Sequence, residues 1–207
     1  VARVKELLEK WPTLSRASYD WGYGDWEDAL GAASHTGNRE IAALLIAAGA
    51  RPTLFSATML GQVEVVKAFV ATAPGIEATP GPHGISLLRH AEVGGEGAAA
   101  VLAFLKTLPG ADRRPTAQPI SQESLAALCG SYVYGSATDD RLVVELNGEN
   151  LTVARPGRFG RNLTHLGERT FFPAGAAEVR IRFTEVGGKR TISVFDPDRV
   201  VAADKLE

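Results

Sequence analysis

The chain has 207 residues, a formal net charge of -2, and 45% hydrophobic against 22% charged residues. That is a globular balance with room for one large or two small domains. It offers no broad basic face to phosphates, so nucleic acid is not an expected partner. There is no apolar run of roughly 18 residues, so no membrane-spanning helix is expected. The lone Cys129 excludes an internal disulfide and fits a reducing compartment. The expected location is cytoplasmic, with export after signal removal left open.

The chain opens on VARVKELLEKWP, an amphipathic helix rather than a signal peptide. The lack of an initiator Met predicts a processed or trimmed N-terminus. Up to about residue 112 the apolar spacing stays helical. VKELLEKWP, REIAALLIAAG, VEVVKAFVATAP and AAAVLAFLKTLPG repeat apolar side chains at i, i+3, i+4 and i+7, then stop at Gly or Pro. Short glycine-containing turns between them predict paired antiparallel helices.

SYDWGYGDWEDAL (18–30) departs from this pattern. Tyr19, Trp21, Tyr23 and Trp26 crowd one loop, with Asp20, Asp25, Glu27 and Asp28 between them. Loop aromatics give large contact area at low entropic cost. Trp21, Tyr23, Asp25 and Trp26 are therefore candidate partner-binding residues. Packing against a neighbouring element is the competing role. Asp28 is expected to cap the helix of 29–36. His35 joins the candidates, against a role in bonding across to the next helix pair. Phe55 and Met59 fit either a core or a groove wall.

The helical segments also resemble one another. Leu30, Ala33, Gly37, Ile41 and Leu45 fall over Leu54, Ala57, Gly61, Val65 and Phe69, and Leu88, Ala91, Gly95 and Ala99 continue the register. The glycines lie at 37, 61 and 95, intervals of 24 and 34 residues. GISLLRHA and GNREIAALLIAAGA resemble pieces of the ankyrin repeat, in which a turn and T-P-L-H-x-A lead a helix pair ending L-L-x-x-G-A. The resemblance covers residues 1–112 as roughly three and a half repeats. It implies an α-solenoid that binds a protein or peptide partner. In GPHGISLLRH (81–90), Gly84 is then the turn glycine and Ser86 the helix cap, with His90 inside the helix. His83 stands at the hairpin edge, as a structural turn residue or a ligand contact.

Residues 113–122 change character. Pro115, Pro119 and the polar residues between them read as a linker. SQESLAALCG is a short helix capped by Ser121 or Ser124 and ended by Gly130. From there the period becomes two. Eight strands are predicted in GSYVYG, RLVVELNG, NLTVARPG, RNLTHLG, RTFFPAG, EVRIRFTEV, KRTISVFD and RVVAA, with hairpin turns at NGEN and VGGK. The expected shape is an antiparallel meander curled into a small barrel or half-barrel. The series Leu125, Leu128, Gly130, Tyr132, Val144, Leu151, Val153, Leu163 and Phe171/Phe172 resembles the lipocalin-like β-domain at the C-terminus of many bacterial serine-hydrolase-related proteins. In those proteins the module is accessory and carries no nucleophile.

No serine lies in G-x-S-x-G or S-x-x-K, and no C-x-x-C or H-E-x-x-H occurs. Cys129 reads as a structural thiol. No catalytic residue, metal site or cofactor is expected. The fold class is α+β: an ankyrin-like α-solenoid (1–112), a linker (113–122) and an antiparallel β-domain (123–207). The expected function is non-enzymatic recognition of a protein or peptide through Trp21, Tyr23, Asp25, Trp26, His35, Phe55, Met59 and His83. The alternative is a small apolar ligand held by the β-domain or at the interdomain junction, with or without chemistry there.

Overall fold

The structure, a computed structural model, describes residues 1–113, 116–196 and 199–206. The chain divides into two compact units, Val1–Arg114 and Pro115–Glu207. Pro115 of the expected linker lies outside the described residues. Among those described, no helix is long and apolar enough to cross a membrane.

The first unit is helical except for one small hairpin. Helix α1 (Ala2–Lys10) is followed by strands β1 (Ser18–Asp20) and β2 (Trp26–Asp28), then α2 (Ala29–His35), α3 (Arg39–Ala47), α4 (Leu54–Met59), α5 (Val63–Thr72), α6 (Leu87–Val93) and α7 (Ala99–Leu105). Helices this short are marginal alone, so their ends and their packing must hold them. Asp28 accepts from the N–H of Gly31 and Ser86 from that of Arg89, the two caps expected. Asn38 and Thr53 cap α3 and α4 in the same way.

α2 packs on α3, α4 on α5 and α6 on α7, while α2, α4 and α6 also pack on one another. The close approach uses the small Ala33, Ala57 and Ala91, all buried. One core gathers Leu30, Ala42, Leu45 and Met59; the next gathers Leu54, Val66, Leu87, Val101 and Leu105. Gly37, Gly61 and Gly95 all have left-handed φ, at 72°, 77° and 63°. At Gly61 an added Cβ would lie 1.8 Å from the carbonyl oxygen of Gly97, so the position needs both the φ and the bare backbone. Arg39 ties the pairs together by donating to the Met59 oxygen at 2.7 Å and the Leu60 oxygen at 2.9 Å.

The aligned positions part company on the second helices. Leu45 is buried, whereas its counterpart Phe69 and nearby Val65 are exposed. α5 buries only Val66, a narrower stripe than α3 presents.

The second unit begins with α8 (Gln122–Ala126), capped by Ser121. Eight strands follow: β3 (Gly130–Val133), β4 (Arg141–Asn147), β5 (Asn150–Ala154), β6 (Arg161–Gly167), β7 (Thr170–Pro173), β8 (Arg180–Val186), β9 (Lys189–Asp196) and β10 (Arg199–Lys205). Each predicted strand is present. They pair antiparallel in the order β10-β3-β4-β5-β6-β7-β8-β9 and close into a barrel, the full rather than the half form. Closure leaves no free sheet edge. This is the architecture of lipocalin-like barrels. Gly148, Gly187 and Gly188 supply the positive φ that the NGEN and VGGK turns require. Alternation sends Ile181, Phe183, Ile192 and Val194 inward. Tyr132 and Phe171 each meet Phe183 edge-on, at 5.7 and 5.6 Å between ring centroids. An eight-strand barrel is just wide enough for such side chains to fill it.

Candidate functional site

The hairpin of β1 and β2 sorts its side chains by the period of a strand. Tyr19 pairs with Glu27 and Asp20 with Trp26. Asp25 and Glu27 therefore point to one side and Trp26 to the other. Asp25 and Glu27 are buried, at 5% and 8% exposure, whereas Trp26 is 60% exposed. The connecting loop is fixed by backbone bonds between Trp21 and Asp25 and between Asp25 and Gly22. Left-handed φ at Gly22, Tyr23 and Gly24 turns the chain.

Asp25 grips His83 twice. One carboxylate oxygen accepts the His83 backbone N–H at 3.0 Å, and the other lies 2.9 Å from Nδ1. This holds His83 at φ 60°, a left-handed conformation that a residue other than glycine rarely takes. The Nε2 of His83 lies 3.3 Å from Glu27 Oε2, which also accepts from the Trp21 indole N–H at 3.2 Å. On the other side of the carboxylate, His35 Nε2 is 2.8 Å from Glu27 Oε1. That contact is at ion-pair distance but outside hydrogen-bond geometry, and Oε1 is buried without a hydrogen-bond donor. The two imidazoles meet edge-on at 5.4 Å.

Helix α2 makes this meeting possible. Gly31 and His35 are four apart on one helical face. A Cβ on Gly31 would sit 3.4 Å from Glu27 Cγ and 3.5 Å from Pro82. Glu27 and the Pro82–Gly84 turn thus both lie against this face of α2. Burial raises the pKa of the Glu27 carboxyl. His35 and His83 more than offset that and leave it below its ordinary value.

The expected residues fall into three groups. Asp25, His35, His83 and Trp21 converge on one cluster, whose hub, Glu27, was read only as one acid among several. Trp26 stands apart and exposed, and Tyr23 is half-buried in the hairpin loop. Phe55 stacks near the His90 ring at 4.9 Å, and Met59 is fully buried in the core, not on a groove wall. His90 is a helix-interior residue, as expected: its Nδ1 lies 2.9 Å from the Ser86 oxygen, and burial holds its pKa down.

The barrel unit carries an open cleft of about 580 Å³ beside α8, lined by Ile120, Leu128, His165, Arg169 and Arg190 among others. Arg190 bonds the Ala127 oxygen and Glu185. Cys129 is half-buried, and burial raises its thiol pKa, the opposite of nucleophile activation. Comparison of the chain with protein-family profiles, curated proteins and solved structures gives no match.

Proposed function

We propose that this chain is a non-enzymatic binding protein whose helical unit, an ankyrin-like solenoid of stacked helix pairs, recognises a protein or peptide through the 18–28 hairpin. The observation that carries this reading is Trp26. It stands 60% exposed on a strand whose neighbours Asp25 and Glu27 are buried and bonded. A large aromatic held on a backbone already fixed loses little entropy on contact, which is the property of an interface anchor. The glycine register and the mutual packing of α2, α4 and α6 support the ankyrin-like assignment.

The test is affinity capture from cells with the wild-type chain and Trp26→Ala side by side. Loss of a specific partner in the variant, with unchanged far-UV circular dichroism, is the expected result. The same partner recovered equally well by both proteins overturns the role of Trp26. A small apolar ligand finds less support in the barrel: Tyr132, Phe171 and Phe183 fill its interior, and arginine heads line the cleft outside.

A further inference from the structure

We propose that Glu27, His35 and His83 form a binding site for one divalent transition-metal ion, Zn²⁺ in the first instance, with Asp25 as a positioning residue. One ligand atom from each of the three lies within 4.8 Å of the others. Two imidazoles and one carboxylate are a donor set suited to Zn²⁺ or Fe²⁺, with water completing the shell. Both imidazoles keep partial exposure, 19% of the His35 side chain and 24% of the His83 side chain, which gives an ion and its water a way in.

The hydrogen-bond inventory of the cluster points the same way. A carboxylate only accepts. Asp25 Oδ2 against His83 Nδ1 turns the ring so that Nε2 faces Glu27 Oε2 at 3.3 Å. Glu27 Oε1 is buried without a hydrogen-bond donor, and His35 Nε2 approaches it at 2.8 Å outside hydrogen-bond geometry. A cation among the three side chains takes up the Oε1 lone pairs and is reached by both imidazoles at once. The Asp25–His83 pair is also the carboxylate–histidine arrangement that fixes the tautomer of a metal-binding imidazole. The site goes beyond partner recognition and does not depend on it.

The experiment is calorimetric titration of the tag-free, chelator-treated full chain with Zn²⁺ at neutral pH, with Co²⁺ absorption as a probe of geometry. The Trp21 ring, 5.0 Å from that of His83, supplies a fluorescence signal. One ion per chain is expected, with the ligand-field bands of low-symmetry Co²⁺. Glu27→Gln and His35→Ala weaken binding at least 100-fold. Asp25→Asn keeps the Co²⁺ spectrum and weakens binding about 10- to 100-fold, as loss of a partner behind a ligand does. His165→Ala, in the barrel, leaves binding unchanged. Circular dichroism identifies variants that have not folded, and a Zn²⁺-induced rise in the melting temperature of the wild type needs no variant. No saturable one-to-one binding by the wild type, or binding that folded Glu27→Gln retains in full, overturns the site and assigns the cluster to a network of protonated imidazoles and carboxylates.

Discussion

The two units differ in what they bury. In the barrel the largest fully enclosed side chains are Tyr132, Phe171, Leu151, Ile181 and Ile192. Among the described residues its buried polar ones are Thr152 and Arg161, each donating to a backbone carbonyl. In the helical unit Asp25, Glu27 and His90 are buried, beside the hydroxyls of Ser15, Ser34, Ser56, Thr58 and Ser86. The hydroxyls are all bonded: Ser34, Ser56 and Thr58 to carbonyls three or four residues back, Ser15 to the Ala48 oxygen and Ser86 to Asp112. Glu27 Oε1 and His90 Nε2 are buried without a hydrogen-bond partner. In the barrel the comparable atoms, Nε of Arg141 and Arg190, are single donors of a five-donor group. The barrel is built as a core and the helical unit tolerates titratable groups that do not serve packing. Such departures from local consistency mark function more often than stability.

The largest effect expected on the core side of this contrast is that of Phe171→Ala. Deleting a fully buried ring that also meets Phe183 costs about 3–5 kcal/mol. Urea unfolding followed by far-UV circular dichroism measures it. A loss below about 1 kcal/mol would mean that the barrel interior is loosely filled, and the ligand reading would return.

Gly61→Ala is next, at about 3 kcal/mol. The new Cβ meets the Gly97 oxygen, and φ 77° strains any alanine. All three tryptophans, Trp11, Trp21 and Trp26, belong to the helical unit, so indole fluorescence reads this loss there. Gly49→Ala is the control. It has the same left-handed φ with nothing within 4 Å, so only the backbone strain of about 1 kcal/mol remains. Equal losses at the two sites would show that close helix-pair stacking is not what Gly61 permits. Arg39→Ala follows at about 2 kcal/mol, because charge-assisted bonds to the Met59 and Leu60 oxygens vanish. A negligible change in the same fluorescence titration would mean that those carbonyls are equally well bonded to water.

Sequence legibility divides along the same line. Every barrel strand could be read because period two, Gly-containing turns and inward Ile, Val and Phe all agree. Repeated helical spacing exposed the glycine positions, and Asp28 and Ser86 could be read as caps because each precedes a helical run. The cluster was legible only in parts. His35, His83 and Asp25 drew notice singly, yet nothing contiguous joins a strand and a helix end to a turn 48 residues beyond His35. A metal motif of the H-E-x-x-H kind is visible because one helix carries its ligands; here three elements do. Glu27 was the hardest to single out, since a strand of only three residues gives too short an alternation to separate Asp25 and Glu27 from Trp26. Met59 was ambiguous because one methionine on a short helix looks the same facing a core or a groove.

The smallest effect tests the Tyr132 hydroxyl in the barrel core. Tyr132 is fully buried, its hydroxyl donates to the Leu128 oxygen at 2.8 Å, and burial pushes its pKa up to about 12 from an ordinary 10. At neutral pH Tyr132→Phe loses that bond, for about 1 kcal/mol. The sign then changes with pH. Between pH 10 and 12 the folded chain keeps the phenolic proton and the unfolded chain does not, so the folded state binds more protons and stability falls as pH rises. The contribution is fully present below pH 10 and lost as pH rises toward 12, on the order of 2–3 kcal/mol for a shift of this size. Phenylalanine has no such proton. The wild type is therefore expected to be the more stable form at neutral pH and the less stable one near pH 12, with the two curves crossing between. Urea midpoints of both proteins across that range measure the crossing. Parallel curves would place the Tyr132 hydroxyl in contact with water and remove the barrel's claim to a dry interior.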